Sequence, residues 1–140
     1  MNRRMVRPAF IVAGFFALLC GCGDPVAKTA PVRGKVIFKG KGVPNGTVNF
    51  IPEGGGTSAT GEIQPDGSFT LTTFKNGDGA ILGKHKIVIV AMQDMKEMLP
   101  EARSPLPPPI VPVKYTSPAT TTLFETVEDK QNNLTLDLKD

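Results

Sequence analysis

From residue 32 onward the chain is built of short runs in which apolar and polar residues alternate, and each run is closed by Gly, Pro, Asn or Asp. A period of two sends successive side chains to opposite faces of an extended strand, and the turn formers leave little room for a helix of ordinary length. Val32-Arg33-Gly34-Lys35-Val36-Ile37-Phe38-Lys39 places Val32, Gly34, Val36 and Phe38 on one face. After the turn-rich stretch 40–46, Thr47–Pro52 resumes the alternation with Val48 and Phe50 inward. Ser58–Ile63 and Ser68–Thr73 flank Pro65-Asp66-Gly67, where Pro presets φ and Gly accepts a positive one. Asn76-Gly77-Asp78-Gly79 turns the chain again, and Lys84–Val90 is the most strongly β-forming run, with the character of a central strand. Thr120–Val127 and Asn133–Leu138 read as a closing hairpin through 129–132, with Leu134, Leu136 and Leu138 on one face. With 15 Gly and 13 Pro in 140 residues, this is one small all-β domain, expected to be a seven-stranded antiparallel β-sandwich.

The stretch 92–118 breaks the pattern. Residues 93–99 suit a helical turn with Met92, Met95 and Leu99 on one side, ended by Pro100. The segment 104–112 that follows is too rich in Pro for anything but extended or polyproline II backbone. Its apolar residues Met95, Met98, Leu99, Leu106, Ile110 and Val111 exceed what a solvated loop needs. Two readings stand: the insertion shields an open sheet edge, or these residues, with Tyr115, contact a partner.

Upstream, Arg3, Arg4 and Arg7 precede an apolar run over 9–19. That run is too short for the roughly 20 residues of a membrane-spanning helix and fits the core of a secretory signal. Leu19-Cys20-Gly21-Cys22 then resembles the bacterial lipobox, in which a small residue precedes an invariant Cys. The resemblance implies cleavage between Gly21 and Cys22, a diacylglycerol thioether on Cys22 and acylation of the new amino terminus. Two or more acyl chains hold a protein stably on a membrane where one does not. Residues 1–21 are thus the expected signal peptide, 22–31 the lipidated Cys and a tether without hydrophobic period, and 32–140 the sandwich with its irregular insertion. The expected location is the cell envelope, periplasmic or on the outer surface, with the membrane as partner through the lipid.

Removing Arg3, Arg4 and Arg7 from the 16 Lys and Arg leaves 13, equal to the 13 Asp and Glu, so the mature chain carries no net charge. The basic balance belongs to the export signal and argues against nucleic-acid binding. Loss of Cys20 and consumption of Cys22 leave no thiol for a disulfide, a metal site or a nucleophile.

The order of these motifs is itself informative. Gly34-Lys35-Val36, then Gly42-Val43-Pro44-x-Gly46-x-Val48, then Pro65-Asp66-Gly67-Ser68-Phe69-x-Leu71, then Gly83-x-His85-x-Ile87 together resemble the carboxypeptidase regulatory-like family. That resemblance implies a transthyretin-like, or prealbumin-like, sandwich over about Val32 to Val90. Lys114-Tyr115-x-x-Pro118 and the final strands resemble the lipoprotein subgroup found in planctomycete-type bacteria. His85 stands where the family usually has an aromatic residue. The family's domain accompanies a separate zinc peptidase domain as an accessory or interaction module, so no peptidase activity is implied for this chain.

The residues favour the same non-enzymatic reading. A zinc hydrolase needs about three protein ligands, and His85 is the sole His. No Gly-x-Ser-x-Gly elbow occurs, Asn76-Gly77-Asp78-Gly79 lacks the acidic series of a calcium loop, and Gly54-Gly55-Gly56 is not followed by the Lys-Ser or Lys-Thr of a phosphate loop. We therefore expect no catalytic residue, no metal and no cofactor. The expected function is a structural or protein-interaction module on the envelope. The alternative is a carbohydrate or cell-wall glycan binding module, although with no Trp and one Tyr the usual sugar-stacking platform is sparse.

Overall fold

The computed structural model of the protein describes residues 26–93 and 109–140. The described residues form ten strands and no α-helix: β1 (Thr29–Ala30), β2 (Val32–Phe38), β3 (Lys41–Gly42), β4 (Thr47–Pro52), β5 (Ala59–Glu62), β6 (Ser68–Thr70), β7 (Ala80–Ile81), β8 (Gly83–Val90), β9 (Phe124–Val127) and β10 (Asn132–Leu138). Three of these, β1, β3 and β7, are two-residue pairings beyond the seven expected runs. The helical turn expected at 93–99 and the greater part of the Pro-rich stretch lie outside the described residues.

One four-stranded sheet runs β5-β4-β8-β9, all antiparallel, so β8 is central as its β-branched run implies. In the other, β2 takes β10 along one side, while β6 and β3 share its second side at residues 33–35 and 37–38. The two inner faces meet in one core. Val32, Val36, Phe69, Leu136 and Leu138 come from the β2 side, and Val48, Phe50, Ile87, Ile89 and Val127 from the β8 side. Phe50 and Phe69 touch across the gap with ring centroids 6.4 Å apart. Burial of each such side chain contributes about 1.5–3 kcal/mol, and the alternation in the sequence selects them. The result is a sandwich-like all-β structure.

Along one side the sheets are joined by the Pro65-Asp66-Gly67 turn, which carries the chain from β5 in one sheet to β6 in the other. The turn closes through Gly67 N–H to Gln64 O and Gln64 N–H to Ser68 O, each 2.8 Å, with Gly67 at φ 87°. Thr60 and Thr72 exchange two backbone hydrogen bonds of 2.9 Å farther along the same seam.

Two expectations are corrected. The folded body starts before Val32. Thr29 and Ala30 pair with Ile81 and Ala80, and Ala30 is buried, so the end of the expected tether belongs to the domain. This pairing needs Gly79, at φ 88°, where a Cβ would lie 1.8 Å from Ala30 O. The expected closing hairpin is also absent. β9 adds to β8 antiparallel, whereas β10 crosses to the other sheet and pairs with β2 in parallel over Asn132↔Val32 to Leu138↔Phe38.

Asn132 directs the crossing. Its buried side chain donates from Nδ2 to Lys130 O at 2.7 Å, Glu128 O at 3.0 Å and Pro31 O at 3.4 Å, and its Oδ1 accepts from Glu128 N–H at 3.0 Å. One amide thereby ties the crossing loop to itself and to the entry of β2. We expect Asn132→Ala to lower unfolding free energy by about 1–3 kcal/mol, the penalty for leaving buried polar groups unpaired. Urea denaturation checks this, and Asn133→Ala, at an exposed position, is the control expected to stay within about 0.5 kcal/mol.

Candidate functional site

His85 lies on β8 with no exposed surface, because the alternation that puts Lys84 and Lys86 outside turns it into the core beside Phe50, ring centroids 5.8 Å apart. Its Nδ1 is 3.0 Å from Gly83 O, so this nitrogen carries the proton and donates. Nε2 is buried without a partner among the described residues. Burial lowers the imidazole below its ordinary value of 6.5, opposed by the bond to Gly83 O. Among the described residues the imidazole is closed off from solvent and packs against Phe50.

The acidic turns are occupied in the same way. Asp78 Oδ1 accepts from Thr73 N–H at 2.7 Å, and Oδ2 from Phe74 and Lys75 N–H at 3.0 Å each. Partial burial raises this carboxyl, but the three amide donors outweigh it and hold the group below 3.8. Thr72 and Thr73 complete the turn, Thr72 Oγ1 accepting from Gly77 N–H and Thr73 Oγ1 donating to Gly79 O. Asp66 Oδ1 accepts from the Ser68 hydroxyl and the Ser68 N–H, which lower its carboxyl in that order. Among the described residues no three His, Cys, Asp or Glu side chains group as metal ligands.

The residues expected to contact a partner divide. Met95, Met98, Leu99 and Leu106 lie outside the described residues, as do Gly21 and Cys22. Ile110 is half-buried and packs on the core, while Val111 and Tyr115 are core residues with 2% and 3% exposure. For Val111 and Tyr115 the expectation of a surface contact is corrected. The 3-10 turn Val113–Tyr115 tucks Tyr115 under the sheet, and its hydroxyl donates to Lys139 O at 3.0 Å and accepts from Lys139 N–H at 3.1 Å. The single tyrosine thus ties the residue after β10 to the last part of the 92–118 insertion. Met92 bridges Pro109, and Ile110 N–H bonds to Ala91 O at 2.9 Å, so residues 91–92 and 109–110 lie side by side.

Two further features escaped the sequence reading besides the role of Asn132, one polar and one aromatic. Thr121 is buried, donating to Ile87 O at 2.6 Å and accepting from Leu123 N–H at 3.3 Å, which positions the start of β9. Phe124, 40% exposed, lies beneath Lys84 and Lys86, whose ammonium groups are 4.7 and 5.8 Å from its centroid. A polar groove of about 550 Å3 follows the β5/β6 seam and is flanked by Arg33, Thr60, Glu62, Gln64 and Asn76. No helix among the described residues is long and apolar enough to cross a membrane. No protein-family model, curated protein or solved structure matches this chain.

Two measurements follow from this geometry. Because His85 titrates lower in the folded state, its stabilising contribution is complete above about pH 6.5 and is lost as pH falls toward the lowered folded value. Denaturation between pH 7 and 5 should show unfolding free energy falling by up to about 1.4 kcal/mol per pH unit, and His85→Gln should flatten that slope. The lowered Asp66 and Asp78 carboxyls act in a separate window below 3.8. Tyr115→Phe keeps the packing but removes both bonds to Lys139. It should cost about 1–2 kcal/mol and speed amide exchange at Lys139 ahead of the amides of β10.

Proposed function

We propose that this chain is a non-enzymatic lipoprotein, anchored to the cell envelope through Cys22, whose sandwich serves as a structural or protein-interaction module. The single observation that carries the reading is Leu19-Cys20-Gly21-Cys22 at the end of a basic-then-apolar leader. Support comes from the use to which the domain puts its reactive side chains. The imidazole of His85 is packed against Phe50, the carboxylates of Asp66 and Asp78 are engaged by amides, and the Tyr115 hydroxyl is bound at Lys139. We read the sandwich as transthyretin-like, with β2, β4, β5, β6, β8, β9 and β10 as its seven principal strands. The order of the glycine and proline turns supports that type, and with it kinship to the carboxypeptidase regulatory-like modules.

A second reading, a carbohydrate or cell-wall glycan binding module, draws on the seam groove, where Arg33, Glu62, Gln64 and Asn76 offer both donors and acceptors. Its floor is made by Gly34, Gly61 and the buried Phe69, so no exposed aromatic face is offered to a sugar ring. The interaction module is therefore preferred.

Intact-mass analysis of detergent-extracted protein tests the anchor. The expected species begins at residue 22 and carries acyl and diacylglycerol mass. Cys22→Ser should retain the leader and gain no lipid, and a wild-type product with an unmodified thiol would refute the reading.

A further inference from the structure

The β9/β10 side of the sandwich presents two strand ends that the fold treats differently. β9 is four residues long, with Phe124 covered by Lys84 and Lys86. β10 is seven residues long, pairs with β2 over its whole length, and among the described residues has no strand partner on its other side.

The direction of its backbone groups can be read from its ends. Asn132 N–H points to β2, bonding Pro31 O at 2.9 Å, whereas Lys139 N–H and C=O point away to Tyr115. Backbone groups alternate along a strand. Asn133, Thr135 and Asp137 therefore turn their N–H and C=O outward, and none of these has a partner among the described residues. Natural proteins blunt such edges with Pro, bulges or inward-pointing charges. β10 contains none of these, since its sequence is Asn-Asn-Leu-Thr-Leu-Asp-Leu and its pairing with β2 is unbroken.

We propose that this edge is a self-complementary docking strand, through which two copies of the chain pair antiparallel about a two-fold axis at Thr135. Centring on Thr135 is the register that matches all three outward residues. It sets Thr135 against the Thr135 of the second copy and Asn133 against Asp137, an amide facing a carboxylate. Within β10 this register opposes no like charges, whereas centring on Asp137 would face two carboxylates. Leu134, half-buried while Leu136 and Leu138 are at 2%, meets Leu136 of the other copy and gains cover. Six backbone hydrogen bonds, two per matched pair, would join the two sheets into one. The inference rests on strand geometry and is independent of the anchoring reading.

Sedimentation equilibrium of the full chain in density-matched detergent tests it, with Cys22→Ser run beside wild type so that loss of the anchor and loss of pairing are read separately. Both are expected to sediment as dimers. Thr135→Pro removes only an outward N–H, and Thr135→Lys opposes two cations at the axis. Each should sediment as a monomer while keeping the wild-type circular dichroism spectrum and melting within a few degrees. Thr60→Lys, on the exposed side of β5, should remain dimeric. A monomeric wild type, or a dimer that survives Thr135→Pro, would overturn the proposal. So would a monomer whose Asn133, Thr135 and Asp137 amides resist hydrogen exchange, because the chain itself would then cover the edge.

Discussion

The crossing from β9 to β10 is the step on which the remaining architecture depends. Had the chain turned back in a hairpin, β10 would extend the β8 sheet, and Val32 and Val36 would lose the strand beside them. Because it crosses, Leu136 and Leu138 fill the face next to β2, and Lys139 arrives within reach of Tyr115. The cause is local. The buried Asn132 amide bonds Lys130 O, Glu128 O, Pro31 O and Glu128 N–H, and a buried polar side chain without such bonds would cost more than a made bond returns.

The same economy recurs throughout the domain. Loops that carry the chain between sheets leave backbone donors and acceptors without a ladder, and polar side chains meet them. Asp78 takes three amides of its turn, Asp66 caps Ser68, Thr121 bonds the carbonyl of Ile87 across to β8, and Tyr115 holds the last residues of β10. Residue types that elsewhere carry catalysis are committed to backbone. His85 is the exception, with Nδ1 bonded to Gly83 O and Nε2 buried without a partner among the described residues.

The inward faces were legible in the sequence because a period of two is a local property. Val32 and Val36, Val48 and Phe50, Phe69 and Leu71, and Leu136 and Leu138 are buried as the alternation implies. Turn chemistry was equally local at Pro65-Asp66-Gly67. Sheet membership was not, since β9 and β10 each alternate well and nothing in alternation says which neighbour a strand will choose. The polar group that decides it, Asn132, looks in sequence like an ordinary turn residue next to an equally ordinary Asn133. Val111 and Tyr115 misled for a related reason: in a Pro-rich stretch without period, apolar side chains look surplus, and only the 3-10 turn reveals the core space they fill.

The pairing of β10 is the claim to test first, and NMR of the isotopically labelled chain does so directly. The account predicts long-range amide-to-α-proton contacts in parallel register between β10 and β2, linking Leu134 and Leu136 to Arg33 and Lys35. Close α-proton pairs between β9 and β10, such as Val127 with Leu134, would instead report an antiparallel hairpin and contradict it.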